Sequence, residues 1–166
     1  MRILQLHSNY IEYEPIRKEI RFAEDAEKKR VRVDEVVVLF TSVEKGDNEA
    51  IAHQAINDTK AYLERVKANR ILIYPYAHLS IDLASPVDAL KVLKEMEDYA
   101  KEIDIETIRT PFGWNKQFTI SIKGHPLAEQ SRTYSAEASA EAEVKKPLLR
   151  KEYLILTSDG ETYTPE

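Results

Sequence analysis

Residues 33–40, Val-Asp-Glu-Val-Val-Val-Leu-Phe, constrain the fold of this chain more than any other segment. Three consecutive valines followed by Leu39 and Phe40 suit a pleated, buried surface, and the run is too dense in β-branched and aromatic residues for a solvated face. It reads as a central strand. Gly46, Asp47 and Asn48 then mark a turn, and Asp47 or Asn48 is placed to cap a helix whose Ile51, Ala55, Thr59, Tyr62, Leu63 and Val66 recur at helical spacing. Such a face has to pack on a sheet. His53 falls off that stripe and reads as a surface histidine.

The remaining segments extend the same alternation. Residues 2–7 and 10–13 read as two strands, the second half-exposed, separated at His7, Ser8 and Asn9. Residues 17–32 mix Lys, Arg and Glu without an apolar period, which predicts a solvated loop or frayed helix. Residues 70–76 form a strand that Pro75 should stop, since proline has no N–H for the ladder. A second helix starts at Ser85 as N-cap with Pro86 in its first position, and buries Leu90, Leu93, Met96, Ala100 and Ile103. Met96 is core filler there and implies no cofactor. Residues 105–110 and 114–123 are strands separated by a turn at Pro111, Phe112 and Gly113, while residues 127–132 are unassigned. The fold class expected is α/β in layered α+β form, a mixed β-sheet with two main helices.

Composition bounds the chemistry. The chain has 166 residues, enough for one compact domain, and no cysteine, which removes thiol nucleophiles and thiolate metal sites. Its net charge of −5 argues against a module that grips nucleic acid through phosphate neutralisation alone. No apolar run approaches a membrane span, no signal peptide is visible, and a cytoplasmic chain is expected. Residues 135–146, rich in Ala and Glu, read as a solvated helix or linker. Residues 152–157 look like the first strand of a following segment, so the domain boundaries expected are 1–134 and 135–166.

Three features stand out as candidate chemistry. Alternation from residue 114 puts Lys116 on the same side as Phe118, Ile120 and Ile122, an odd place for an ammonium that must snorkel, pair or be held for use. His78 lies in the connection after a strand, where sheets place sites but also unremarkable polar residues. His125 and Glu129 flank Pro126 as a hydrogen-bonded pair, a turn cap or part of an acid–base site. A zinc site from His7, His78 and His125 has no supporting spacing, and no phosphate cradle or nucleophile elbow occurs.

Five blocks in order resemble one family: His7-Ser8-Asn9-Tyr10-Ile11-Glu12-Tyr13, Ser42-Val43-Glu44-Lys45, the segment from Tyr74 to Ser80, Pro111-Phe112-Gly113-Trp114-Asn115-Lys116, and the segment from Lys123 to Glu129. They are similar to the N-terminal editing domain of archaeal threonyl-tRNA synthetases, across about residues 1–134. The resemblance implies a D-aminoacyl-tRNA deacylase-like fold, usually a homodimer, and a deacylase that frees serine from threonine tRNA and spares threonine. It implies Lys116, His78 and Glu129 as catalytic residues and Val43, Tyr76, Ala77, Phe112 and Asn115 as substrate-binding positions. Metal and cofactor are not implied, because the terminal ribose hydroxyl of the tRNA assists. Partners would be the acceptor end of the tRNA and the remaining synthetase domains. Asn115 stands where the family has tyrosine, and Asn9 where aspartate is common. A D-aminoacyl-tRNA deacylase and a non-catalytic tRNA-binding or dimerisation module are the competing expectations.

Overall fold

The computed structural model describes residues 1–135; the expected linker and following strand lie outside the described residues. The chain forms a mixed sheet in the order β4-β3-β2-β1-β5, with β6 also on β1. The strands are β1 (Arg2–Lys18), β2 (Val31–Ser42), β3 (Arg70–Pro75), β4 (Glu106–Arg109), β5 (Trp114–Ile122) and β6 (Glu129–Thr133), and the helices are α1 (Glu49–Val66) and α2 (Pro86–Glu102). The α+β layering with two helices matches the expectation. No helix among the described residues is long and apolar enough to cross a membrane.

The valine run occupies the middle of the sheet for a simple reason. Val37 and Leu39 point to the helical layer with Ile71 and Ile73, while Val36, Val38 and Phe40 point to the other face with Leu72 and Tyr74. All of these are at most 3% exposed. Both faces are therefore covered, and β2 runs parallel to β3, as β3 does to β4, with α1 and α2 as the connections. Asn48 caps α1 by accepting from Ile51 N–H, and Ser85 caps α2 by accepting from Asp88 N–H, with Pro86 behind it.

Three readings need correction, and one unassigned segment gains an element. Residues 2–7 and 10–13 belong to one continuous 17-residue strand, β1, interrupted only by register shifts at Ser8/Tyr10 and Pro15/Arg17. The Ser8 hydroxyl, fully buried, donates to its own strand's Leu6 carbonyl, so a polar residue that read as a break is internally satisfied. Those irregularities let the strand bend, and β5, paired to β1, leans over the second face: the Phe118 ring lies 5.3 Å from Phe40 and 5.5 Å from Tyr74. The unassigned residues 127–132 include most of β6, which adds to the first half of β1.

The buried stripe of α2 is Ala89, Val92, Leu93, Met96 and Ala100, so Leu90 sits one position off the core. His53 is half-buried where a surface residue was expected: its ring stacks on Tyr99 at 4.0 Å and its Nε2 meets Glu95 at 2.6 Å. Packing of α1 on α2 covers a position that a single-helix periodicity leaves outside.

Candidate functional site

The carboxyl ends of the parallel strands β2 and β3, with the connections that leave them, form a crevice. Thr41 and Pro75 are the last paired residues; beyond them Ser42 and Val43 on one side and Tyr76 and Ala77 on the other line a cavity of about 250 Å³. The start of α2 closes one wall with Pro86, Ala89 and Leu93. Phe112, Gly113, Trp114 and Lys116 close another, and Glu19 and Ile20 complete it.

Hydrogen bonds fix the rim. Tyr76 N–H donates to Thr41 O at 2.9 Å, and Ala84 N–H to Val43 O at 3.0 Å. The Ser42 hydroxyl donates to the Tyr76 carbonyl and accepts from Leu79 N–H, tying the end of β2 to the single 3₁₀ turn Ala77–Leu79 that carries His78. His78 itself is exposed, with its ring edge-on to Tyr76 at 5.0 Å.

Lys116 enters the cavity from β5. Its ammonium donates to the carbonyls of Pro111 at 3.0 Å and Trp114 at 3.2 Å, and lies 4.9 Å from the centre of the Tyr74 ring. Burial pushes its pKa down to about 8, against the opposing pull of the Glu19 and Glu24 carboxylates. The group is mostly protonated at neutral pH yet close to titration. Two of its three N–H donors are spent on carbonyls, and a third remains for whatever enters.

The structure gathers Val43, Tyr76, Ala77, Phe112 and Lys116 around one cavity and puts His78 next to Tyr76. It does not gather Glu129 or Asn115 there. Glu129 is exposed at the start of β6, opposite Leu6, and Asn115 is exposed opposite Arg17 on the face of β5 away from Lys116. Of the alternatives for His125 and Glu129, the turn cap is the one realised, and the ring partner of His125 is His7. His125 Nδ1 accepts from Leu127 N–H at 3.1 Å, so its proton sits on Nε2 and is donated to His7 Nδ1 at 2.8 Å. Of the three histidines weighed and set aside as zinc ligands, His7 and His125 meet each other and His78 joins Tyr76. Among the described residues, the group with three metal-capable atoms close together is instead Glu49, His53 and Glu95.

Sequence reasoning missed Glu19 and Glu24. They lie in the segment read as solvated, yet the Glu24 carboxylate accepts both ends of the Arg109 fork at 2.6 and 3.0 Å and the Phe112 N–H at 2.8 Å. The signal was faint: Ile20 and Ala23 are apolar residues one helical turn apart inside a charged run.

A larger hollow of about 470 Å³ opens at the other end of the sheet, lined by His7, Glu35, Lys67, Arg70, Glu106 and Lys123. Its charges mostly satisfy one another, Arg70 with Glu106 at 2.7 Å and Lys123 with Glu35 at 2.9 Å. The smaller cavity holds a desolvated cation and is the better candidate.

The fold is similar to that of a D-aminoacyl-tRNA deacylase, as expected. A probable eukaryotic D-amino acid tRNA deacylase superposes with a TM-score of 0.53 over 80% of this chain and 97% of that one, at 12% identity. The c-Myc DNA unwinding element binding protein does so with 0.62 over 82% and 100%, at 7% identity. Residues 1–134 match the archaea-specific editing domain of threonyl-tRNA synthetase, and the chain belongs to that family. Relatives include the threonine–tRNA ligases of Thermococcus sibiricus, 44% identical over 97% of this chain and 28% of that protein. Those of Staphylothermus marinus and Nitrosopumilus maritimus are 42% and 40% identical over 100% and 96% of this chain, and 27% of each relative. The chain thus spans about a quarter of the length of these relatives.

Proposed function

We propose that this editing domain hydrolyses the ester joining L-serine to threonine tRNA and spares threonyl-tRNA. The observation that carries the reading is Lys116, a protonated and partly desolvated amine with one uncommitted donor, facing a small, largely apolar cavity. Water attacking an aminoacyl ester builds negative charge on the carbonyl oxygen, and a donor held in a low-dielectric site stabilises that charge without reorganising. Lys116 orients the water or steadies the oxyanion. It is no nucleophile, and the terminal ribose hydroxyl of the tRNA takes part in activating the water.

Val43, Ala77 and Phe112 form the walls against which the amino-acid side chain rests. An attractive pocket separates substrates one methyl apart by only about 1 to 3 kcal/mol. A tight hydrolytic cavity that excludes threonine escapes that limit, because a clash costs more than a lost contact. His78, at the mouth, is assigned to the ribose side of the substrate. Glu129 lies off the cavity lining, so the carboxylates assigned to Lys116 are Glu19 and Glu24. A net charge of −5 fits a domain that handles the acylated end while other parts of a longer synthetase hold the tRNA body.

The test compares hydrolysis of seryl- and threonyl-threonine tRNA by the wild type and by Lys116→Met. Hydrolysis confined to the seryl substrate and abolished by the substitution supports the reading. Turnover of D-aminoacyl substrates alone would favour the other deacylase reaction, seryl-tRNA left intact by both wild type and variant would leave a non-catalytic module, and equal hydrolysis by both would remove Lys116 from the chemistry.

A further inference from the structure

We propose that Glu24 is the positioning residue of the editing site, holding the turn at residues 111–114 and, through it, the Lys116 ammonium. The inference rests on the reaction proposed above but is argued from contacts that stand without it.

Every polar atom of Glu24 is committed to that turn or to its anchor. Its carboxylate accepts Phe112 N–H and both nitrogens of the Arg109 fork. Its backbone N–H donates to Phe112 O at 3.0 Å, and its carbonyl accepts the Trp114 indole N–H at 2.6 Å. Glu19 N–H adds a bond to Gly113 O at 2.8 Å. Residues 111–114 are thus fastened at four points by a segment whose composition reads as solvent-facing.

Contact is close as well as polar. Gly113 has φ +84°, and a Cβ there would lie 2.8 Å from the Ala23 Cα, so loop and turn approach backbone to backbone. Lys116 donates to two carbonyls of the clamped stretch, those of Pro111 and Trp114. Shifting the turn moves the ammonium, and misplacement by about 1 Å costs roughly a hundredfold in rate. Arg109 carries the anchor onward, since it also binds Glu97 of α2 at 2.9 Å, and α2 forms the facing wall of the cavity.

The charge of Glu24 acts in the same direction as its geometry. Burial alone would raise its carboxyl, but the Arg109 fork and the Phe112 N–H outweigh that and keep it below the usual carboxylate range. It is therefore ionised at neutral pH, with Arg109 and Lys94 beside it. The charges acting on Lys116 are Glu19 and Glu24, with the Tyr74 ring face against it.

Glu24→Gln keeps the shape and an acceptor for Phe112 N–H while removing the charge. The experiment follows the Lys116 side chain by NMR through a pH titration, in wild type and variant, and measures kcat for seryl-tRNA hydrolysis on the same samples. Expected are displaced Lys116 resonances, a titration midpoint below that of the wild type, and kcat reduced by roughly tenfold to a hundredfold. Wild-type Lys116 resonances and midpoint in the variant, or an unchanged kcat, would overturn the inference. If the wild type itself hydrolyses nothing, the proposed reaction falls, and the NMR titration alone decides whether Glu24 positions Lys116. Should Glu24→Gln fail to fold, Glu24→Asp, which keeps the charge but withdraws the carboxylate from Phe112, is read by the same resonances and kcat.

Discussion

The ammonium nitrogen of Lys116 stands 4.9 Å from the centre of the Tyr74 ring, whose phenol is itself pushed up by burial and so stays neutral. A cation over an aromatic face keeps some of the stabilisation that it loses on leaving water. What it does not recover appears as a lowered pKa, and that has consequences for stability as well as for rate.

Replacing Lys116 by Met is expected to stabilise the protein while abolishing hydrolysis. A base whose folded pKa, about 8, lies below its unfolded value of 10.5 opposes folding in full below pH 8 and progressively less up to the unfolded value. The difference corresponds to roughly 3 kcal/mol, and the two carbonyls left without a partner take part of it back. A gain of roughly 1 to 2 kcal/mol at pH 7 remains. Urea unfolding at pH 7 and pH 10 measures it: the wild type should gain on Lys116→Met between those values, and a variant less stable at pH 7 contradicts the account.

Hydrolysis should fall as pH rises through about 8. The protonated amine is the donor, and deprotonation removes the charge that steadies the oxyanion. Single-turnover rates from pH 6 to pH 9.5, corrected for spontaneous ester cleavage, report this midpoint. A rate still rising at pH 9.5 would mean that the neutral amine acts as a base.

Val43→Ala should relax selectivity. Val43 is 4% exposed and lines the cavity, so trimming it leaves room for one more methyl. Threonyl-tRNA hydrolysis is expected to rise roughly tenfold or more with seryl-tRNA hydrolysis changed far less. The ratio of the two rates is the measurement, and an unaltered ratio would move the discriminating wall elsewhere.

Gly113→Ala should cost roughly 1 to 3 kcal/mol, because an L side chain at φ +84° meets the backbone of Ala23. Thermal unfolding reads the loss. A variant as stable as the wild type would show that the loop and the turn part easily.

His7 provides an acid limb to the stability profile. Burial, then the neighbouring His125 and Lys123, lower its pKa below 6.5. Above 6.5 it contributes no pH dependence; as pH falls through 6.5 the unfolded chain takes up a proton that the folded one resists, and stability is lost. Denaturant midpoints for the wild type and His7→Gln at pH 7.5 and pH 5.5 should differ in slope, with the shallower decline in the variant.

Much of the scaffold was legible because burial on two faces leaves a mark in one dimension. The valine run gave β2, and Asn48, Ser85 and Pro86 gave the helix starts, since capping is local chemistry. Lys116 was visible as a cation on the wrong side of an alternating strand. What could not be read was anything that depends on partners distant in sequence. β1 read as two strands because its continuity through Ser8 is set by pairing with Val36 of β2. Glu24 read as solvated because its neutralising partner, Arg109, is 85 residues away. Glu129 was drawn toward the site by resemblance, whereas its register opposite Leu6 follows from β6 pairing with β1, a long-range choice that no local pattern records.

The length of β1 has a consequence for the order in which the molecule can be made. Its first half is completed by β6 and its second half by β5, strands that begin more than a hundred residues later. Until those residues have left the ribosome, the strand can hold only β2, and its other edge stays open. Pairings of such separation close slowly, so the editing domain should acquire its final sheet late, with the nascent edge the part most in need of shielding from other chains.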